Sequence, residues 1–254
     1  GTSLYPLRDI AYNIDKLSKG GNIVILGEDQ KLYYEQIAAV LKELELKPPR
    51  VVHYSFILLQ EDKMSTRKGN LVLLEDFMKE AVNKANDELK KRYNKIDLSS
   101  AKAIAYGAIK YGILKVSLEK NVVFEWKQAL SFEGETSPYI QYAYARISSI
   151  IKKAKKINAK ADLSLLKEKE ETELIKLLHN FPELIAKATN ELRPHLIATY
   201  IYSLAQKFNE YYHIHQILKA DKEIRDARIL LICAIRQVIK NGLNLLGIDV
   251  LERM

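Results

Sequence analysis

Two short apolar runs flank one helix-length segment near the start of this 254-residue chain. The first, Asn22 to Leu26, reads as a buried strand ending at Gly27. The second runs from Val51 to Leu59. Between them, residues 29–46 place Leu32, Gln36, Ala39, Val40 and Leu44 near one helical face, and Pro48 and Pro49 stop the helix. Strand, helix and strand make a βαβ unit, because parallel neighbours need a crossover. A helix over 6–18 precedes the unit, with Pro6 at its first position, where a missing N–H costs nothing. Ligands of such sheets bind at the carboxyl ends of the strands. Here those ends carry Gly27-Glu28-Asp29-Gln30 and, further on, Lys63-Met64-Ser65.

From Glu75 onward the pattern is almost only helical. Helices are expected over 75–93, with Glu75 and Asp76 favouring its start, and over 98–119, opened by Asp97 or Ser99. Residues 121–137 read as irregular and hold the only tryptophan, Trp126. Helices over 138–157, 164–179, 182–191, 194–219 and 222–246 complete a bundle, the last closed by Gly247. The fold class is therefore α/β plus all-α, a parallel sheet followed by a helical bundle.

Composition narrows the class further. Apolar residues make up 48% and charged residues 28%, as in an ordinary globular protein. No apolar run approaches the roughly 18 residues needed to span a bilayer, so no membrane role is expected. A single cysteine, Cys233, excludes an internal disulfide and fits a reducing cytoplasm. No His or Cys spacing suggests a metal site: His213 and His215 are two apart, which points their rings away from each other on a helix. The chain starts at Gly1 without a signal peptide, which reads as a cut or truncated start. Net charge is +8 and unevenly placed: −2 over residues 1–62, +6 over 63–120 and +4 over 121–254. A polyanion touching the middle and the C-terminal part is one reading of this; solubility alone is the other.

Three groups of residues carry candidate chemistry. Lys63-Met64-Ser65-Thr66-Arg67-Lys68-Gly69-Asn70 packs cations, hydroxyls and a glycine into one polar stretch. Such a loop can wrap polyphosphate, the cations neutralising a leaving group while small residues let the backbone approach. It lacks P-loop spacing. Tyr5 and Asp9 are four apart at a helix start, so they share a face that could receive a guanidinium. A helix-start carboxylate beside a core tyrosine would look the same. Tyr139, Tyr142 and Arg146 follow a spacing of three and four at another helix start, and aromatic faces can stack splayed RNA bases. A tyrosine stripe can equally be core. Tyr211 and Tyr212 are adjacent on a helix, about 100° apart, so only one of them can face RNA.

The longer strings resemble one family. Gly1 to Tyr12, GTSLYPLRDIAY, is similar to a segment of arginyl-tRNA synthetases, and Ile25 to Leu32 is similar to their next strand and loop. Leu130 to Arg146, LSFEGETSPYIQYAYAR, resembles the most distinctive string of that family. Arg225 to Gly247 and the ending Leu251-Glu252-Arg253-Met254 resemble its C-terminus. The KMSTR stretch resembles the KMSKS loop of class I aminoacyl-tRNA synthetases in general.

The resemblance implies three parts: residues 1–62 as the second half of a Rossmann-type catalytic domain, 63–120 as the KMSKS loop and a helical connector, and 121–254 as a helical anticodon-binding domain. It implies ATP as substrate, with Mg²⁺ on its phosphates, and L-arginine and tRNA-Arg as partners. Tyr5, Asp9 and Gln30 would bind arginine. Lys63, Ser65, Arg67 and Lys68 would stabilise the departing pyrophosphate. Tyr139, Tyr142, Arg146, one of Tyr211 and Tyr212, and Met254 would meet the anticodon loop. Three departures stand out. Leu7 occupies a position where the family usually has Thr, Thr66 stands at the second KMSKS lysine, and no HIGH-type motif occurs. An N-terminal half carrying that motif is therefore expected to be missing, and the chain alone is expected not to catalyse. The alternatives are a non-catalytic tRNA-binding paralogue and one chain of a split synthetase.

Overall fold

The computed structural model describes residues 4–59, 73–93 and 97–254. These form two compact units: residues 1–58 with 116–123, and residues 59–115 with 124–254. The grouping follows packing, whereas the three sequence parts above divide the chain by role.

In the first unit α1 spans Tyr5–Lys19, with Pro6 in its first turn and Gly20 beyond its end. Strand β1, Ile23–Gly27, leads through a 3₁₀ turn at Glu28–Gln30 into α2, Lys31–Glu43. Strand β2, Arg50–Tyr54, then returns parallel to β1, in register from Ile23 opposite Arg50 to Gly27 opposite Tyr54. The expected βαβ unit is present. The helix read over 29–46 is shorter because Glu45 takes a left-handed conformation at φ 59° before the two prolines. Tyr34, Ile37 and Leu41 of α2 are buried, and the Tyr34 hydroxyl donates to the Pro49 carbonyl, tying the crossover to its exit. On β1, Ile23 and Ile25 stay exposed.

The single strand expected over 51–59 is two. Strand β3, Ile57–Leu59, is separate from β2. The break comes where the Ser55 N–H donates to the Leu118 carbonyl instead of continuing the ladder. The stretch read as irregular supplies β3 with its partner β4, Val122–Phe124.

The second unit is helical. Helix α3, Leu74–Tyr93, packs on α4, Leu98–Leu114, through Ala81, Ala85, Ala101, Ala105 and Ala108, all buried. Asp97 is the cap, accepting from the Ser99 N–H at 3.1 Å. Phe77, Phe124 and Trp126, the last opening the short α5 (Trp126–Ala129), close this core with ring centroids 4.6–5.4 Å apart.

Helix α6, Ser137–Ala154, is capped by Thr136, and its buried side carries Ile140, Tyr144 and Ile147. Helix α7 runs unbroken over Lys169–Glu191 with Pro182 inside, where the sequence suggested two helices. Its start is a capping box between Glu168 and Glu171, two reciprocal hydrogen bonds that satisfy orphan donors. Helices α8, His195–Ile214, and α9, Lys222–Leu245, complete the bundle. They approach closely at Gly242, where a Cβ would sit 2.2 Å from Ile201 Cγ2.

Candidate functional site

Each unit presents one candidate surface. In the first, α1 and α2 meet at Asp9. The Tyr33 hydroxyl, one turn into α2, donates to Asp9 Oδ2 at 2.5 Å. The Asn13 side chain donates to the Asp9 backbone carbonyl at 2.8 Å. The hydrogen bond to Asp9, then burial, then the Asp9 charge raise the Tyr33 phenol to about 12. Tyr33 therefore stays a neutral donor, and the half-buried Asp9 has one side-chain oxygen committed to it.

The other expected arginine contacts are open. Tyr5 begins α1 and is 79% exposed. Gln30 closes the 3₁₀ turn, exposed, its amide donating to Asp29 Oδ2 at 3.2 Å. At the strand end, the Ser55 hydroxyl donates to Glu28 Oε2 at 2.5 Å, joining the carboxyl ends of β1 and β2. Tyr33 and Ser55 escaped the sequence reading, because nothing in their local pattern says which helix or turn they will meet. Lys63, Ser65, Arg67 and Lys68 lie outside the described residues.

In the second unit, α6 and α8 assemble an aromatic–cation stack. The Arg146 guanidinium lies 4.7 Å from the Tyr142 ring centroid and 5.1 Å from that of Tyr212. Its Nη1 donates to Asn209 Oδ1 at 2.7 Å. Asn209 is nearly buried and so orients the guanidinium between the rings. The Tyr139 ring packs on Tyr202 at 5.6 Å. Met254 and Tyr142 both pack, half-buried, against the core that α3 and α4 build. Tyr139, Tyr142, Arg146, Tyr212 and Met254 all keep some exposure.

Tyr211 does not belong to this surface, which corrects its place among the expected RNA contacts. It is fully buried, and its hydroxyl donates to Glu171 Oε1 at 3.1 Å. Burial, first of all, pushes its phenol well above the ordinary range. The same Glu171 oxygen accepts from Arg228 Nε at 2.8 Å, so a buried carboxylate joins α7, α8 and α9. Of the adjacent pair, Tyr212 is the one that faces outward, 39% exposed.

The sequence suggested no metal site. The fold does bring Glu168, Glu170 and His215 together, with ligand atoms all within 4.8 Å. These groups already serve one another and the helix: His215 Nε2 and Glu170 Oε2 are 3.0 Å apart, and Glu168 caps α7. No described helix is long and apolar enough to cross a membrane.

Residues 1–126 match the model of the class I (R) tRNA synthetase catalytic domain, and residues 140–254 match the DALR anticodon binding domain. Over its whole length the chain is 42% identical to an arginine–tRNA ligase of Methanocella arvoryzae, of which it spans 46%. It is 41% identical to the one of Methanocaldococcus jannaschii, of which it spans 45%. The solved arginyl-tRNA synthetase of Thermus thermophilus superimposes with a TM-score of 0.90 at 28% identity, over all of this chain and 50% of that one. The chain thus spans about half the length of the relatives it matches.

Proposed function

We propose, for a chain that belongs to the arginyl-tRNA synthetase family, that these 254 residues supply part of the arginine pocket, the KMSKS loop and the anticodon-binding domain of an arginine–tRNA ligase. The reaction would join arginine to tRNA-Arg through an adenylate made from ATP, in the cytoplasm. The observation that carries the reading is the Arg146 guanidinium held between Tyr142 and Tyr212 on the face of α6 and α8. Two rings and a planar cation at a surface offer flat partners for unpaired bases.

In the first unit, Asp9 would accept the substrate guanidinium through its free oxygen, with Tyr33 keeping the carboxylate in place. Tyr5 and Gln30 would add polar contacts. Lys63, Ser65, Arg67 and Lys68 would neutralise charge developing on pyrophosphate, so that catalysis is mostly orientation and electrostatics. Mg²⁺ bound with ATP would supply further charge neutralisation there.

The test is arginine-dependent pyrophosphate exchange with tRNA present. A polypeptide joining these residues to a half that carries a HIGH motif is expected to exchange, and the 254 residues expressed alone are expected to be silent. Failure of the joined polypeptide to use arginine, with its tRNA binding intact, would remove the ligase assignment.

A further inference from the structure

We propose that the cavity beside the last two turns of α6 is an anion site for one backbone phosphodiester of the RNA whose bases reach the Arg146 stack. The inference rests on the RNA-binding reading above and adds a backbone subsite to it. The cavity measures about 280 Å³, and its polar lining is Ser148, Ser149, Lys152, Arg236, Glu252 and Arg253. Three cations and two hydroxyls thus face one carboxylate.

That carboxylate is already occupied. The buried Tyr144 hydroxyl donates to Glu252 Oε1 at 2.8 Å, and Arg236 lies 3.9 Å from the same oxygen. Burial raises the Glu252 carboxyl, but Tyr144, the Ser148 hydroxyl and the Arg236 charge together hold it below its ordinary value. Glu252 is therefore an anion whose task is to fix Arg236, which also lies over the Tyr144 ring, 5.4 Å from its centroid. Lys152 and Arg253 are exposed, and among the described residues neither has an ion-pair partner. The cavity consequently retains positive charge and donors, the set that recognises phosphate oxygens.

Position selects the source of the phosphate. Tyr142, Arg146 and Ser149 follow at intervals of four and three, so they share one face of α6. Lys152 lies six residues beyond Arg146, about 9 Å further along the axis. A strand whose bases stack on Arg146 and that runs on toward the end of α6 brings its backbone to the cavity.

The experiment titrates the complete 254-residue chain with an anticodon stem-loop RNA over a series of salt concentrations. It includes Lys152→Ala, Arg253→Ala, the double variant, Lys152→Arg and Tyr142→Ala. Removing one single-strand phosphate contact should flatten the slope of log K against log salt by about 0.7. The double variant should show that flattening and Lys152→Arg should not. Tyr142→Ala should lose affinity with its slope unchanged. RNAs carrying one neutral methylphosphonate at successive positions should reveal a single linkage that weakens the parent chain and leaves the double variant unaffected. An unchanged slope in the double variant, with anticodon-dependent binding intact, overturns the phosphate site alone. Absence of RNA binding by the parent chain overturns the underlying reading as well. Tight inorganic phosphate binding, lost in the double variant while its RNA slope is unchanged, would assign the cavity to free phosphate and overturn the RNA subsite.

Discussion

The Tyr33 hydroxyl donates to the Asp9 carboxylate across the α1–α2 pair at 2.5 Å, and this contact is the first cause of the raised Tyr33 phenol. The phenol titrates at about 12, against an ordinary value near 10. Because the folded value is raised, the contribution of the neutral phenol is whole below pH 10 and is lost as pH rises from about 10 to about 12. Ultraviolet difference titration of the parent chain against Tyr33→Phe should show the missing phenol ionising near 12. In Asp9→Asn the same phenol should fall back towards 10. A Tyr33 phenol near 10 in the parent chain would mean that the contact does not persist in solution.

Asp9→Asn should impair arginine use in the joined enzyme far more than it perturbs folding. The substitution removes a charge and turns an amide donor towards a guanidinium that is itself all donors. The expected loss in kcat/KM for arginine is about 3 kcal/mol, roughly a hundredfold. Discrimination between arginine and lysine is the decisive measurement. If it is unchanged, Asp9 serves only to bind Tyr33.

On the face proposed to meet RNA, Tyr142→Ala should weaken binding of tRNA with its own anticodon by about 1–3 kcal/mol, through loss of a stacking face. The same change should cost little on tRNA lacking the anticodon loop. Filter binding of both RNAs to both proteins gives the comparison, and equal losses would withdraw Tyr142 from the anticodon contacts.

The buried network behind that surface should respond in stability and not in RNA specificity. Arg228→Leu leaves Glu171, 1% exposed, without its cation and should cost about 3–5 kcal/mol. Tyr211→Phe removes one hydrogen bond and should cost about 1 kcal/mol. Urea melts measure both. Tyr212→Ala is the reciprocal control: it should leave the melt almost unmoved and weaken RNA binding. An inverted pattern would exchange the roles of the two tyrosines.

The elements that local pattern dictates were legible in the chain. The βαβ unit followed from two apolar runs and a proline-stopped helix, and the cap of α4 was narrowed to Asp97 or Ser99, of which Asp97 is the one that accepts. Misreadings arose where packing overrides a local signal. Pro182 suggested a break, yet α7 continues through it, with Leu174 and Ala188 buried on either side. Within the candidate site, spacing singled out Asp9 and Arg146 as candidates and left a purely structural role equally open. Their partners were not identifiable, because Tyr33 lies 24 residues from Asp9 and Asn209 lies 63 from Arg146. Helix periodicity establishes that Tyr211 and Tyr212 point apart, but only the packing of α8 against α7 and α9 decides which one is inside.

That adjacency also bears on how the domain can diverge. Tyr211 is locked to the Glu171 carboxylate, so the rotational phase of α8 at this point is fixed by the core, and Tyr212 inherits its outward direction from its neighbour. One residue gained or lost between Asn209 and Tyr211 would turn the helix by about 100°. It would withdraw the ring that flanks Arg146 while leaving every side chain chemically intact. Lineages of this domain should therefore tolerate substitution along α8 much more readily than a change in its length.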